Sequence, residues 1–340
     1  MQPTILITGA TGFLGAHVAL ELLQSGYHVK GTFRNQASQA KAKQIFGYYE
    51  NGFSLFDKVE WVSVDMLDYS EVLMAMQGVQ YVVHTAAEVS FNPQFKNRII
   101  ENNTLMASYV VDAAIEAGVK KLCHISSIAA LGSTINGEPI TEETKLASVK
   151  DQSAYSTSKF YAEMEVWRAI NSGLNAVILN PSVILGAGDW KTSSSTFISS
   201  IAKGLSFYSK GVTGFVDVRD VARASRLALE SDISAERFIL SSENINYYDL
   251  FCSIAKGLSK PVPRYKAYPF LIKAIAAFSG FYSYITGKEP LVTPQSARSA
   301  WRKSYYSGKK FETQFNFKYT PISETVDFAC TGYLNSNRKK

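Results

Sequence analysis

The stretch that decides the fold is ILITGATGFLGAHVALELL, residues 5–23. A β-branched apolar run ends at Thr8, glycines follow at positions 9, 12 and 15, and an apolar helical pattern begins at once. Gly9 permits a tight strand exit with positive φ. Gly12 lets a ligand approach the backbone, and Gly15 lets the helix pack closely on a sheet. Free N–H groups at the start of such a helix, with the helix dipole behind them, suit a pyrophosphate. Gly9, Thr11, Gly12, Phe13, Leu14 and Gly15 are therefore the expected cradle of a dinucleotide.

The same alternation continues outward. Strand patterns cover 4–8, 28–33, 59–64, 81–84, 122–125 and 176–179, and helical patterns cover 14–25, 71–77, 97–117 and 155–171. Near-continuous apolar strands alternating with helices imply a parallel sheet covered on both faces, a doubly wound α/β (Rossmann) fold. After Gly186 the texture changes to Ser, Thr, Gly and scattered aromatics, and GFVDVRDVARASRLALE then restores a strand-then-helix pattern. The expected division is a dinucleotide-binding Rossmann domain of residues 1–185 plus about 214–240. A smaller, discontinuous substrate-binding part would hold about 186–213 plus 241–340.

A chain of 340 residues with 46% hydrophobic and 19% charged residues is folded and large enough for about two domains. Cys123, Cys252 and Cys330 are far apart, with no metal-ligand spacing, and read as reduced thiols; no metal is expected. The net charge of +6 is mild and fits a solvated surface with the basic tail NSNRKK, an anionic ligand such as a phosphorylated cofactor, or weak attraction to a membrane surface. No recognisable basic module points to nucleic acid. The opening MQPTILITGA lacks a basic region and a cleavage site, so the cytoplasm is the expected location. The apolar stretch YPFLIKAIAAFSGFYSYITG, 268–287, is interrupted by Lys273 and falls short of the ~20 apolar residues of a span. A helix buried in the core or at a domain or subunit contact is expected there, with an interfacial helix or a substrate lid as the alternative.

The second strand ends in YHVKGTFRNQ, and no Asp or Glu occurs between Glu21 and Glu50. An acidic residue there usually takes the ribose 2′-hydroxyl of NAD; Arg34 instead suits the 2′-phosphate of NADP(H). In WVSVDMLD, Asp65 is placed to accept from an adenine amino group with Met66 against the ring, or to cap the next helix.

Reducing a carbonyl beside a nicotinamide requires a proton donor, a group that brings the donor's pKa of ~10 towards neutrality, and a second donor to the developing alkoxide. SAYSTSKFYAEMEVW, 153–167, supplies Tyr155 with Lys159 one helical turn on. The same spacing occurs at Tyr284/Lys288, Tyr305/Lys309 and Tyr306/Lys310, but each of those has a glycine between the partners. The ammonium of Lys159 is expected to lower the tyrosine pKa. Its face of the helix continues through Ala162, Val166 and Ile170, an apolar stripe. In LCHISSIAALG a strand runs into Ser126 and Ser127, where open α/β sheets bind ligands; a turn cap is the bland alternative.

The set TGATGFLG, DMLD, VVHTAA, ENNTLMASYVVDAA, HISSIAALG, YSTSK, NPSVILGAGD and FVDVRDVARA, in this order, resembles the extended short-chain dehydrogenase/reductase family over roughly the whole chain. The resemblance implies Ser127, Tyr155 and Lys159 as the catalytic set and Asn103 as a structural asparagine. It also implies Thr85, Ala86 and Ala87 beside the cofactor, and Pro181 and Val183 near the nicotinamide. Within the family the chain looks more like the dihydroflavonol and cinnamoyl-CoA reductases, which are mostly NADPH-dependent, than the nucleotide-sugar epimerases with tightly bound NAD. Arg34 and Asn180 favour the former, and SSIAA lacks the Thr-Asp-Glu set of the dehydratases. The expected function is NADPH-dependent reduction of a hydrophobic aldehyde or ketone, with Phe197, Phe207, Tyr208 and Tyr265 as hints of an apolar pocket. The alternatives are an epimerase and a non-catalytic NADP(H)-sensing protein. Helices carrying 107–117 and 155–170 often pair between subunits in this family, which implies a homodimer.

Overall fold

The computed structural model describes residues 2–90, 92–134, 137–150, 152–270, 272, 275 and 294–338. β1 (Thr4–Thr8), β2 (His28–Phe33), β3 (Glu60–Ser63), β4 (Tyr81–His84), β5 (Lys121–Ile125) and β6 (Ala176–Pro181) form the expected parallel sheet. A seventh strand, Glu236–Leu240, joins it beyond β6, giving the order 3-2-1-4-5-6 followed by this last strand, with every neighbour parallel. The order reverses between β1 and β4, which pair Thr8 with His84 at their carboxyl ends. A crevice outside such a reversal is where doubly wound sheets take ligands.

Strand alternation assigns the two faces. Ile5 and Ile7 point into one apolar core, with the helix α1 (Phe13–Gln24) and the helix Val218–Glu230 over it. Leu6, Val82, Leu122 and Ile178 point into the other, covered by α5 (Lys96–Glu116) and α6 (Ala154–Asn171). Two further helices, α2 (Gln36–Phe46) and α3 (Gly52–Phe56), lie between β2 and β3, where no helical pattern is evident in sequence. α4 (Tyr69–Met76) precedes β4.

Beyond β6 the chain leaves the main sheet. Val183–Leu185 and Val212–Asp217 pair in parallel, and Glu243–Asn246 adds antiparallel to the latter. A third apolar cluster, including Leu185, Phe215, Leu250, Ile254 and Val326, fills this lobe. The C-terminal helix Ile322–Arg338 is tied back through two fully buried carboxylates. Asp217 accepts from Thr325 Oγ1 at 2.8 Å, and Asp220 accepts from the N–H and hydroxyl of Thr320 at 2.6 and 2.8 Å. Of the apolar stretch 268–287, residues 268–270 are exposed, whereas Ile272 is buried against Ala297. Most of the remainder lies outside the described residues.

Candidate active site

Gly9 has φ +70°, and a Cβ there would stand 2.8 Å from Ala86 Cα. A Cβ on Gly15 would lie 2.2 Å from the Gly9 carbonyl, so α1 packs on the turn at a distance only glycine allows. Gly12 caps α1, its N–H donating to Gly9 O at 2.9 Å, and a Cβ there would meet nothing closer than 3.2 Å. The first turn of α1, with Phe13 and Leu14, holds no acidic residue, so its N–H end is free to meet anionic groups. Threonines hold the cradle open. Gly9 N–H donates to Thr32 Oγ1 at 3.0 Å, and Thr85 Oγ1 donates to Thr8 O at 2.7 Å.

The loop carrying Thr85, Ala86 and Ala87 is clamped from the far side by Asn103. Asn103 Oδ1 accepts from Glu88 N–H at 2.7 Å, and its Nδ2 donates to Glu88 O at 2.9 Å and to Ser158 Oγ at 3.1 Å. The structural asparagine of the sequence is thus a buried link between this loop and α6.

Arg34 is exposed immediately after β2 and makes no hydrogen bond or ion pair among the described residues. Asn35 caps α2 beside it, accepting from Ser38 N–H at 3.0 Å. Asp65 is not a helix cap, because Asp68 takes that role by accepting from Glu71 N–H at 3.1 Å. Asp65 instead accepts from Leu67 N–H at 2.9 Å in a local turn, and Met66 packs partly against the second core.

Tyr155, Lys159 and Ser127 converge at the carboxyl end of β5. Ser153 caps α6, accepting from Ser156 N–H at 3.0 Å, and Ser156 Oγ donates to Ala129 O. That bond fastens the first turn of α6 to the turn Ile128–Ala130, which Ser127 caps through Ala129 N–H at 3.1 Å. Ser127 therefore serves as a turn cap and also faces Tyr155. Burial pushes the Tyr155 phenol above its ordinary pKa, and the Ser127 side chain pulls it the other way. Desolvation outweighs the polar contact, so the net direction at Tyr155 is upward rather than the lowering expected from Lys159.

Lys159 is 7% exposed and donates to Ile125 O at 2.9 Å. Burial lowers its pKa to about 8, and the charge of Glu163 opposes the fall. Two buried imidazoles pair across β4 and β5 beneath it, His84 and His124, with ring centroids 5.1 Å apart. Burial lowers both, with the charge of Lys159 adding to the effect, and His84 is held at about 3. The ammonium thus sits over a neutral floor.

Glu163 is the residue the sequence did not disclose. It is 1% exposed and accepts four hydrogen bonds. Ser126 Oγ and Asn180 Nδ2 reach Oε2 at 2.7 and 2.8 Å, while Arg237 Nη1 and Trp167 Nε1 reach Oε1 at 3.0 and 3.3 Å. Asn180 Nδ2 also donates to the Ser127 carbonyl at 3.1 Å. Ser126 is therefore part of the support and Ser127 part of the site. The one available signal was the i+4 spacing of Glu163 from Lys159 beside the buried Ala162 and Val166. Pro181 and Val183 follow at the exit of β6, buried and half-buried.

The aromatic hints divide. Phe197 packs against Tyr247 and Phe251 inside the third core, whereas Phe207 and Tyr265 are exposed and lean on each other. Among the described residues no group of three His, Cys, Asp or Glu could hold a metal ion, and no helix is long and apolar enough to cross a membrane.

A glycine cradle at the sheet reversal, with Ser, Tyr and Lys gathered one strand away, defines a dinucleotide-dependent enzyme of the short-chain dehydrogenase/reductase type. Residues 5–240 match the model of the NAD dependent epimerase/dehydratase family, and the chain belongs to this family of nicotinamide-dependent enzymes. It is 25% identical to a Synechocystis sp. protein provisionally named dihydroflavonol 4-reductase, over 98% of this chain and 96% of that one. It is 28% identical to cinnamoyl-CoA reductase 1 of Arabidopsis thaliana, over 70% of each. Its fold matches the UDP-glucose 4-epimerase of Thermus thermophilus in complex with NAD, with a TM-score of 0.74 at 20% identity and coverage of 98% and 99%.

Proposed function

We propose that the protein is an NADPH-dependent reductase of a hydrophobic aldehyde or ketone. The observation that carries this reading is the convergence at the carboxyl end of β5 of Ser127 with Tyr155, which stands one turn before Lys159 on α6. The residues present fit a dinucleotide: glycines 9, 12 and 15 leave room at a free helix N-terminus, and Arg34 offers an uncommitted guanidinium at the end of β2. When bound, the reduced nicotinamide supplies the hydride.

The chain's own residues do the rest. Tyr155 gives its proton to the carbonyl oxygen, and the Ser127 hydroxyl donates a hydrogen bond to the same oxygen as charge develops. Lys159, mostly charged at pH 7, holds ribose hydroxyls and favours the phenolate left after the proton moves. The named reductases among the relatives support the carbonyl-reducing direction.

The deciding experiment is a titration of the purified protein with NADPH and NADH, followed by turnover on a carbonyl panel. NADPH is expected to bind more tightly, and Arg34→Ala to erase that preference. Tyr155→Phe is expected to keep cofactor binding and lose about 10²–10⁴ in turnover. Full turnover in that variant, or stoichiometric NAD that copurifies and ignores Arg34, would overturn the proposal.

A further inference from the structure

Three segments of the chain contain no acidic residue at all. Residues 190–216, 250–288 and 290–311 together carry fourteen Lys and Arg and not one Asp or Glu, in a chain whose net charge is only +6. The rest of the chain is therefore net acidic, and the asymmetry is a property of one region.

The fold brings described parts of all three together. Phe207–Tyr208 and Tyr265–Lys266 form a small parallel ladder, extended by Arg264 N–H to Ser206 O at 3.0 Å and Ala267 N–H to Tyr208 O at 2.8 Å. The third segment docks beside it through Gly211 N–H to Ala300 O and Val212 N–H to Arg302 O, both 2.9 Å. On this ladder and just after it four aromatic rings stand in solvent: Phe270 is 73% exposed, Tyr265 61%, Tyr268 53% and Phe207 49%. In the same two segments Lys203, Lys210, Lys256, Lys260, Arg264 and Lys266 are exposed and make no ion pair among the described residues, and Lys266 lies over the Tyr268 ring.

We infer that this face docks on a bilayer surface carrying anionic headgroups. Exposed large aromatics are costly in water unless something covers them, and rings accompanied by unpaired cations match the headgroup layer, where aromatics settle and Lys and Arg meet lipid phosphates. Base stacking fits less well. Tyr268 stacks on Phe270 at 6.1 Å with Lys266 over its ring, and Phe207 leans on Tyr265 at 5.7 Å, so ring faces are already occupied. The inference stands apart from the proposed reaction, since none of these residues belongs to the cradle or to the Ser127–Tyr155–Lys159 site.

The test is flotation of the full chain with vesicles of phosphatidylcholine alone or with about one-third phosphatidylglycerol, at low and high salt. Binding is expected only with the anionic lipid, and weakened by salt. Lys260→Glu with Arg264→Glu, and separately Phe270→Ser, should each lower partitioning about tenfold while circular dichroism and thermal unfolding show the fold intact. Absence of binding to the anionic vesicles would overturn the inference. So would equal binding to both vesicles, or full binding by the charge-reversed variant. Salt-sensitive capture of a poly-glutamate peptide without vesicle binding would reassign the face to an acidic protein partner.

Discussion

Glu163 stands one helical turn beyond Lys159, with both side chains buried; burial lowers the lysine's pKa, and the charge of the carboxylate opposes the fall. The same carboxylate collects Ser126, Asn180, Arg237 and Trp167, groups drawn from β5, β6, the last sheet strand and α6 itself. Because Asn180 also holds the Ser127 carbonyl, one buried anion supports both the strand end that presents Ser127 and the helix that presents Tyr155.

Glu163→Gln therefore has two separable outcomes. All four partners are donors, so an amide N–H₂ must face at least one of them, and the Arg237 charge loses its counterion. A loss of about 2–4 kcal/mol in denaturant unfolding is expected. Removing the charge also takes away what opposes desolvation at Lys159, so its pKa falls below about 8. The alkaline limb of the pH–rate profile then moves to lower pH. A purely structural Glu163 would lower stability and leave that limb in place.

Lys159 makes a prediction about stability with a definite sign. Its folded pKa of about 8 lies below the ordinary lysine value of 10.5, so between these values the unfolded chain binds more protons. The residue's contribution is least favourable below pH 8 and improves as pH rises towards 10.5. Lys159→Met removes this dependence and is expected to stabilise the protein at pH 7 by up to about 3 kcal/mol, less the lost bond to Ile125. Unfolding curves at pH 7 and 9.5 for both proteins check it. An unchanged difference between the two pH values would show that Lys159 is not desolvated in solution.

How far the sequence reached follows from where the information lies. β1, β4, β5 and β6 announce themselves because their apolar runs are buried along almost their whole length, and the glycine cradle because close approach has a local residue requirement. α2 escaped because QASQAKAKQIF buries only Ala42, Ile45 and Phe46, too few for a helical period. Ser127, Tyr155 and Lys159 were legible through motif and spacing. Glu163 was not, because a lone glutamate on a helix looks solvated. What buries it is Arg237 and Asn180, which come to it only after the sheet is assembled. Phe207 and Tyr265 stand on the surface, and nothing local in the sequence distinguishes an exposed aromatic from a buried one.

Asn103 and its neighbour Asn102 offer a matched pair of substitutions on α5. Asn103 is 3% exposed and completes three bonds that fix the 85–88 loop to α6, whereas Asn102 makes a single bond to the Glu88 side chain at 2.9 Å. Asn103→Ala leaves the Glu88 N–H and carbonyl without their partner and is expected to cost about 2–4 kcal/mol. Asn102→Ala is expected to cost less than about 1 kcal/mol, because its partner keeps Arg98 and access to water. The freed loop is the one that packs against Gly9, so Asn103→Ala should also weaken dinucleotide binding at temperatures where the fold persists, and Asn102→Ala should not. Equal affinities in the two variants would separate the clamp from the cradle and assign Asn103 to stability alone.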